Sequence, residues 1–186
     1  MTKIVTTGVA VMDFVFHLDE MPRLAEKYRA KGAEITGGGG AANAAAAIAR
    51  LGGHAMLASR LGSDQGADMI AAVLDGEAPI REAEAALHLA SHVAFSAQGL
   101  RDWAEHDDLD KALDDVAAET GAFVCVTDGA KGVTWRHGTA SGFEPAYAIT
   151  PLDTLGAGDV WHGAFALRLG EGASPPEAIR FASAVA

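Results

Sequence analysis

The hydrophobic pattern changes its period several times along the chain. Residues 3–14, KIVTTGVAVMDF, form a β-branched run with little strict alternation, as in a strand covered on both faces, and predict a central first strand. FVFHLDEM and KYRAKGAEI then alternate partly between apolar and polar positions around PRLAE, which predicts two strands of a small, half-exposed antiparallel flap. Residues 37–53, GGGGAANAAAAIARLGG, open with a glycine turn, run on as an alanine-rich helix and stop at Gly52 and Gly53. HAMLASRLG predicts a returning strand and GADMIAAVLDG a helix. Further on, LDKALDDVAAETG sets Leu109, Leu113, Val116 and Ala117 at helical spacing, and AFVCVTDG reads as a buried strand ending in a turn. Strand and helix in alternation predict a parallel sheet with helices on both faces. The rhythm breaks once. Between the helix ending near Asp75 and APIREAEAALHLASHVAFSAQGL the chain passes from helix to helix through GEAP alone. A parallel neighbour requires a strand between helices, so residues unseen in the structure, and a gap in space, are expected between about Leu74 and Ile80.

A length of 186 residues suits one α/β domain, with or without a small appendage. The share of charged residues, 21%, is that of a soluble globular protein. No apolar run approaches a membrane span, and MTKIVTTGVAVMD reads as a first strand rather than an export signal, so a cytoplasmic location without membrane partners is expected. The net charge of -11 would repel a phosphate backbone, which disfavours nucleic acid. Cys125 is the single cysteine, and its FVCV setting predicts an inert core thiol.

An acidic protein can still handle an anion if it concentrates local donors. In DTLGAGDVWHGAFAL, residues 153–167, the amides of Gly156, Ala157 and Gly158 would be unpaired donors at a helix start, reinforced by the helix dipole and open to close approach. Asp159 cannot ligate that anion, but it could take the proton of a hydroxyl attacking it. The plainer reading makes Asp159 a helix cap and the glycines packing residues. Gly37 to Gly40, followed by Asn43, form a second glycine-led helix start, either bared for a ligand or serving as a flexible turn. TDGAKG, residues 127–132, closes a predicted strand at the sheet edge where ligands bind, or is a hairpin turn. Asp13 ends the first predicted strand, near a ligand edge or as a cap. GxxxxGK[ST], GxSxG, HExxH and a GxGxxG after the first strand are all missing, which makes a dinucleotide-dependent oxidoreductase a weak alternative. The seven histidines are scattered and read as surface or structural, His162 included, although it lies one turn after Asp159.

Residues 8–13, 37–53, 127–132 and 153–167 together resemble the PfkB-type, or ribokinase-like, carbohydrate kinases, with both glycine-rich signatures in the family's order. The resemblance implies an α/β fold: a ribokinase-like three-layer sandwich with a central, mostly parallel sheet and a small β-strand lid, partly missing here. It divides the chain into a nucleotide- and sugar-binding core, residues 1–13 and 37–186, and lid strands, residues 14–36, through which members often form a homodimer. It implies ATP-dependent phosphoryl transfer to a sugar hydroxyl, chemistry that asks the protein mainly for positioning and charge stabilisation. Asp159 would be the general base, with Gly156, Ala157 and Gly158 as the anion hole. Asp13, Gly38, Gly39, Gly40 and Asn43 would bind the sugar, and Thr127, Gly129 and Gly132 would line the nucleotide phosphates. Mg2+ would come with ATP, and some members hold a monovalent cation near the Asp153 loop. A nucleoside kinase, or a sugar- or nucleotide-binding protein without catalysis, are the alternatives.

The chain departs from the family pattern in three places. SAQGLRDW stands where members often carry an acidic NxxE motif, the chain stops at Ala186 in the helix after the catalytic one, and returning lid strands and a strand–helix unit are missing around residues 76–79. One charge pattern bears on the substrate. Lys27, Arg29 and Lys31 are spaced by two, so a strand would align them on one face. They either protect a sheet edge, or Lys27 reaches the sugar site and pairs with an anionic group such as a phosphate on a ketose.

Overall fold

β6 (Phe123–Thr127) is the strand that is covered on both faces. In the computed structural model, which describes residues 3–8, 11–23, 27–59, 89–104, 107–151 and 154–186, its side chains alternate between two cores. Val124 and Val126 pack with Leu100, Leu113 and Val116, while Phe123 and Cys125 pack with Trp161, Phe165 and Ile179. The first core belongs to α2 (Ala97–Ala104) and α3 (Leu109–Thr120), the second to α4 (Ala157–Gly170) and α5 (Pro175–Val185). Helices, sheet and helices make three layers, as the resemblance implied. β6 lies between β5 (His92–Ser96), which is parallel to it, and β7 (Val133–His137), which is antiparallel and pairs in turn with β8 (Ala140–Glu144). Full burial pushes the Cys125 thiol up to about 12, so it stays protonated and inert.

A second parallel pair joins β1 (Lys3–Thr7) to β4 (His54–Ala58), with α1 (Gly40–Arg50) packed on it. The alanine-rich run makes this helix as expected, and Gly52, at φ 84°, turns the chain beyond its end. α3 also matches its prediction: the Asp108 side chain accepts a hydrogen bond from the Lys111 amide at 3.1 Å, and Gly121 closes the helix in the left-handed region at φ 66°.

Three expectations change. Residues 3–14 are not one central strand, because pairing with β4 ends at Thr7 and the Gly8 amide donates to the Ala58 carbonyl at 3.2 Å. From Val11 the chain belongs instead to β2 (Val11–His17), antiparallel to β3 (Gly32–Gly38). β1 alternates between exposed and half-buried positions and leaves Val5 59% exposed, so its unbroken β-branched run marked two short strands rather than double-sided burial. The flap strands are accordingly shifted: they run across residues 13 and 37, while Leu18–Met21 and Lys27–Lys31 are not strand. Finally, β5 lies inside a segment that seemed to continue from helix to helix. Val93 and Phe95 of HVAFS enter the core beside β6, a β-branched and aromatic signal masked by the alanines before it.

The helix expected over GADMIAAVLDG and the spatial gap expected between about Leu74 and Ile80 lie outside the described residues. Among the described residues no helix is long and apolar enough to cross a membrane.

The β6–β7 hairpin turns through a short 3-10 segment, Gly129–Lys131. Gly132 follows at φ 110°, where an added Cβ would stand 2.3 Å from the Glu144 carbonyl oxygen. Gly132→Ala is therefore expected to destabilise the protein by about 1–3 kcal/mol from backbone strain alone. Urea unfolding with a lower midpoint and an unchanged slope would show this.

Candidate functional site

Two helices with glycine-led starts, α1 and α4, cross at close range. A Cβ on Gly163 would lie 2.5 Å from the carbonyl oxygen of Ala44, so the two backbones are almost in contact. The small residues of AANAAAA and GAFA serve this approach. α1 is entered through Gly39 at φ 96° and α4 through Gly156 at φ 74°, turns open mainly to glycine. The crossing brings Asn43, in the first turn of α1, against Asp159, in the first turn of α4. Its Nδ2 donates to Asp159 Oδ2 at 2.8 Å. This bond joins positions 116 residues apart and fixes the direction of the carboxylate.

Asp13 reaches the same place from β2. It pairs with Thr36 across the strands, and a Cβ on Gly38 would fall 1.7 Å from Asp13 Oδ2, so glycine at 38 makes room for that carboxylate. A cavity of about 1200 Å³ opens here, bordered by Asp13, Thr36, Gly39, Asn43, Gly156 and Asp159 among other residues. Gly40 lies instead on a smaller cavity of about 450 Å³ on the other side of the crossing, which Asp159 also borders. Residues drawn from three separate sequence stretches, 8–13, 37–53 and 153–167, thus meet at one opening.

The helix start differs from its expectation in one donor. The Ala157 amide donates to the Thr154 carbonyl at 3.2 Å, because the left-handed Gly156 closes a tight turn, so this amide is not unpaired. Gly156 and Gly158 remain as the small-residue amides of that turn; first-turn amides have no partner within their own helix. Asp153 lies outside the described residues, as does any cation site near it.

Thr127, Gly129 and Gly132 lie at the hairpin connection between β6 and β7. The Thr127 hydroxyl donates to the Phe95 carbonyl at 3.4 Å, and Asp128 pairs with Lys131 at 2.7 Å. None of the three borders the cavities at Asp159 among their described linings. Lys27, Arg29 and Lys31 share no strand face, since β3 begins only at Gly32. Lys31 pairs with Asp19, and exposed Lys27 does not border the cavity. Without the strand, the basis for Lys27 as an anion ligand is gone. Lys27→Ala is expected to leave KM unchanged for both a neutral and a phosphorylated sugar in steady-state assays.

One residue went unnoticed in the sequence. Thr36 faces the cavity opposite Asp13, which only the β2–β3 register makes visible. His162, read as surface or structural, is half-buried: its Nδ1 is 2.6 Å from the Gly158 carbonyl oxygen and its Nε2 3.4 Å from that of Ala94 on β5.

A 61-residue stretch, 33% of the chain, is 39% identical to the ribokinase of Bacillus subtilis (strain 168), and it spans 21% of that protein's length. The structure of Arabidopsis thaliana ribokinase complexed with ribose and ATP superposes with a TM-score of 0.75 at 19% identity, covering 99% of this chain and 91% of that one. The phosphofructokinase-2 of Escherichia coli in complex with fructose-6-phosphate superposes with a TM-score of 0.76 at 20% identity, covering 99% and 92%. At these identities the superpositions establish the fold. The family model for pfkB family carbohydrate kinases matches residues 1–78 and again residues 73–186, two pieces that meet where the strand–helix unit was expected to be missing. With both glycine-led helix starts inside the matched pieces and the whole length accounted for, the chain belongs to the pfkB family of carbohydrate kinases.

Proposed function

We propose that this chain binds ATP and a sugar and transfers the γ-phosphoryl group to a sugar hydroxyl. The observation that carries this reading is the convergence of Asp13, Asn43, Gly156 and Asp159 on one cavity, with Asp159 oriented by Asn43. Asp159 takes the proton of the hydroxyl as its oxygen bonds to the γ-phosphorus. The bond from that phosphorus to the β-phosphate oxygen breaks, and ADP leaves. The amides of Gly156 and Gly158, at the positive end of α4, offset charge on the transferring group. Asp13, Asn43 and the Gly38–Gly40 backbone hold the sugar, and Thr127, Gly129 and Gly132 line the nucleotide phosphates. Mg2+ bound with ATP would neutralise phosphate charge. Among the described residues no cluster of three or more His, Cys, Asp or Glu is placed to hold a metal, so no protein ligand set is assigned to it.

The lid is assigned to the β2–β3 pair and its connecting chain, residues 14–36 at its centre. One face carries Asp13 and Thr36 toward the cavity. The opposite face presents Phe14 and Ile35, directly paired and 57% and 53% exposed, with Phe16 beside them. Apolar side chains grouped on a solvent face favour association, and a homodimer through the lid is the proposed assembly.

A second reading has its own support. The family match breaks at residues 73–78, and a chain lacking a strand–helix unit could retain a sugar or nucleotide pocket without transfer. ADP release from ATP, measured against ketoses, aldoses and nucleosides, separates the two readings: sugar-dependent release supports the kinase, and ligand binding without release supports the binding protein. A nucleoside as the best acceptor would make it a nucleoside kinase.

A further inference from the structure

Among the described residues β1 pairs only with β4, and β5 only with β6, so the two parallel pairs are not joined. In a strand the N–H and C=O of one residue share a side, and successive residues alternate, so one bond fixes what each edge carries. The Phe123 amide donates to the Ser91 carbonyl at 3.0 Å; Ser91, Val93 and Phe95 therefore turn their backbone groups to β6, and His92 and Ala94 turn theirs to the open edge. The Gly8 amide donates to the Ala58 carbonyl, so Thr6 and Gly8 face β4 while Val5 and Thr7 face away from it. Thr7, His92 and Ala94 all border the cavity of about 450 Å³. Thr6 borders it too, and its buried hydroxyl has no hydrogen-bond partner among the described residues. We propose that this cavity is a docking slot for one extended, apolar segment of another polypeptide, which pairs with the open edges of β1 and β5 and joins the two sheets. The proposal goes beyond phosphoryl transfer and does not depend on it.

The walls set the chemistry of the occupant. Ala44 of α1 and Gly163, Phe165 and Ala166 of α4 line the slot with apolar surface. On the outer face of the β1–β4 pair, Val5 and its register partner Met56 are 59% and 51% exposed. A strand laid beside Val5 and over those helices meets apolar groups on both of its faces, as β6 does, and such strands are continuous β-branched runs rather than alternating ones. The Ala94 carbonyl oxygen has His162 Nε2 near it at 3.4 Å, longer than an ordinary N–H···O bond, so it stays open to a closer donor.

The sequence of this chain offers no such run to fill the slot. Between β4 and β5, residues 59–88 have Ile70, Val73 and Ile80 as their only β-branched residues, none adjacent or alternating, and the two pieces of the family match meet within this stretch. A second copy is ill suited as well. The slot is open on two sides and needs a strand with two free edges, whereas every described strand of this chain already pairs with at least one neighbour. An extended segment of another protein has both edges free, and adding a strand at unpaired edges is a general mode of peptide recognition.

The test uses the full chain and two capped synthetic peptides, each an alternating run of valine and alanine between terminal lysines. In the second peptide alternate amides are N-methylated, which keeps composition and charge but removes strand donors. In the free protein, hydrogen exchange read by NMR should be faster at the amides of Thr7, His92 and Ala94 than at that of Val93, which faces β6. The first peptide is expected to bind and to slow exchange at all three open-edge amides. N-methylation should weaken binding by about 10- to 100-fold, the worth of two or three net hydrogen bonds. Ala94→Pro removes one open-edge amide at a kind of position where strands tolerate proline, and should weaken binding several-fold. If that variant fails to fold, the N-methylated peptide on wild-type protein decides. Slow exchange of the three amides in the free protein would show that the chain closes the slot itself, and protection that grows with protein concentration would make a second copy the occupant. Either result overturns the proposal, as does equal binding of the two peptides or no binding at millimolar peptide.

Discussion

Asp159→Asn is expected to keep the fold and both ligands while lowering phosphoryl transfer by about 10² to 10⁴. The carboxamide has the shape of the carboxylate and can still accept the Asn43 hydrogen bond through its oxygen, so the α1–α4 contact seen at 2.8 Å survives. What it loses is the proton acceptor. Binding of ATP and sugar by calorimetry, next to ADP release under the same conditions, separates the two effects. An asparagine variant that binds both ligands and turns over at the wild-type rate would remove Asp159 from its role.

The second large effect is expected at Gly163, which no ligand need touch. A methyl group there would stand 2.5 Å from the Ala44 carbonyl oxygen and 2.9 Å from Ala44 Cα, both backbone atoms that cannot rotate away. The helices must separate by several tenths of an ångström along their tightest line. Overpacking of this kind costs about 1–3 kcal/mol, so Gly163→Ala should lower the Tm. The same separation pulls Asn43 from Asp159, since both lie in the first turns of those helices. A drop in kcat in the fraction that stays folded is therefore expected too. A variant with unchanged Tm and unchanged kcat would show that the close crossing does not govern the site.

The two glycine-led helix starts were legible because their signals are local. Left-handed turns at Gly39 and Gly156 and small residues after them are written in consecutive positions. The apolar spacing of α3 and the buried run of β6 were readable for the same reason. What stayed hidden depends on partners far along the chain. A β-branched run does not say where it changes partner, and residues 3–17 split because Thr7 pairs with Ala58 while Val11 pairs with Gly38. Spacing by two aligned three cations on paper, but β3 begins only at Gly32, after all three. The Asn43–Asp159 bond could be guessed at only as a shared site, because geometry and not sequence sets two side chains 2.8 Å apart. His162 could be read only as surface or structural, because nothing local shows that β5 runs beside it.

The central claim is that the cavity at Asp159 transfers a phosphoryl group to a sugar hydroxyl, and ³¹P NMR of the reaction reads this directly. Wild-type protein with Mg-ATP and an accepted sugar should convert the γ-phosphate resonance of ATP into that of a sugar phosphate ester, with ADP formed in equal amount, and should do neither without sugar. Sugar and ATP bound to the protein while the γ-phosphate resonance persists would contradict it.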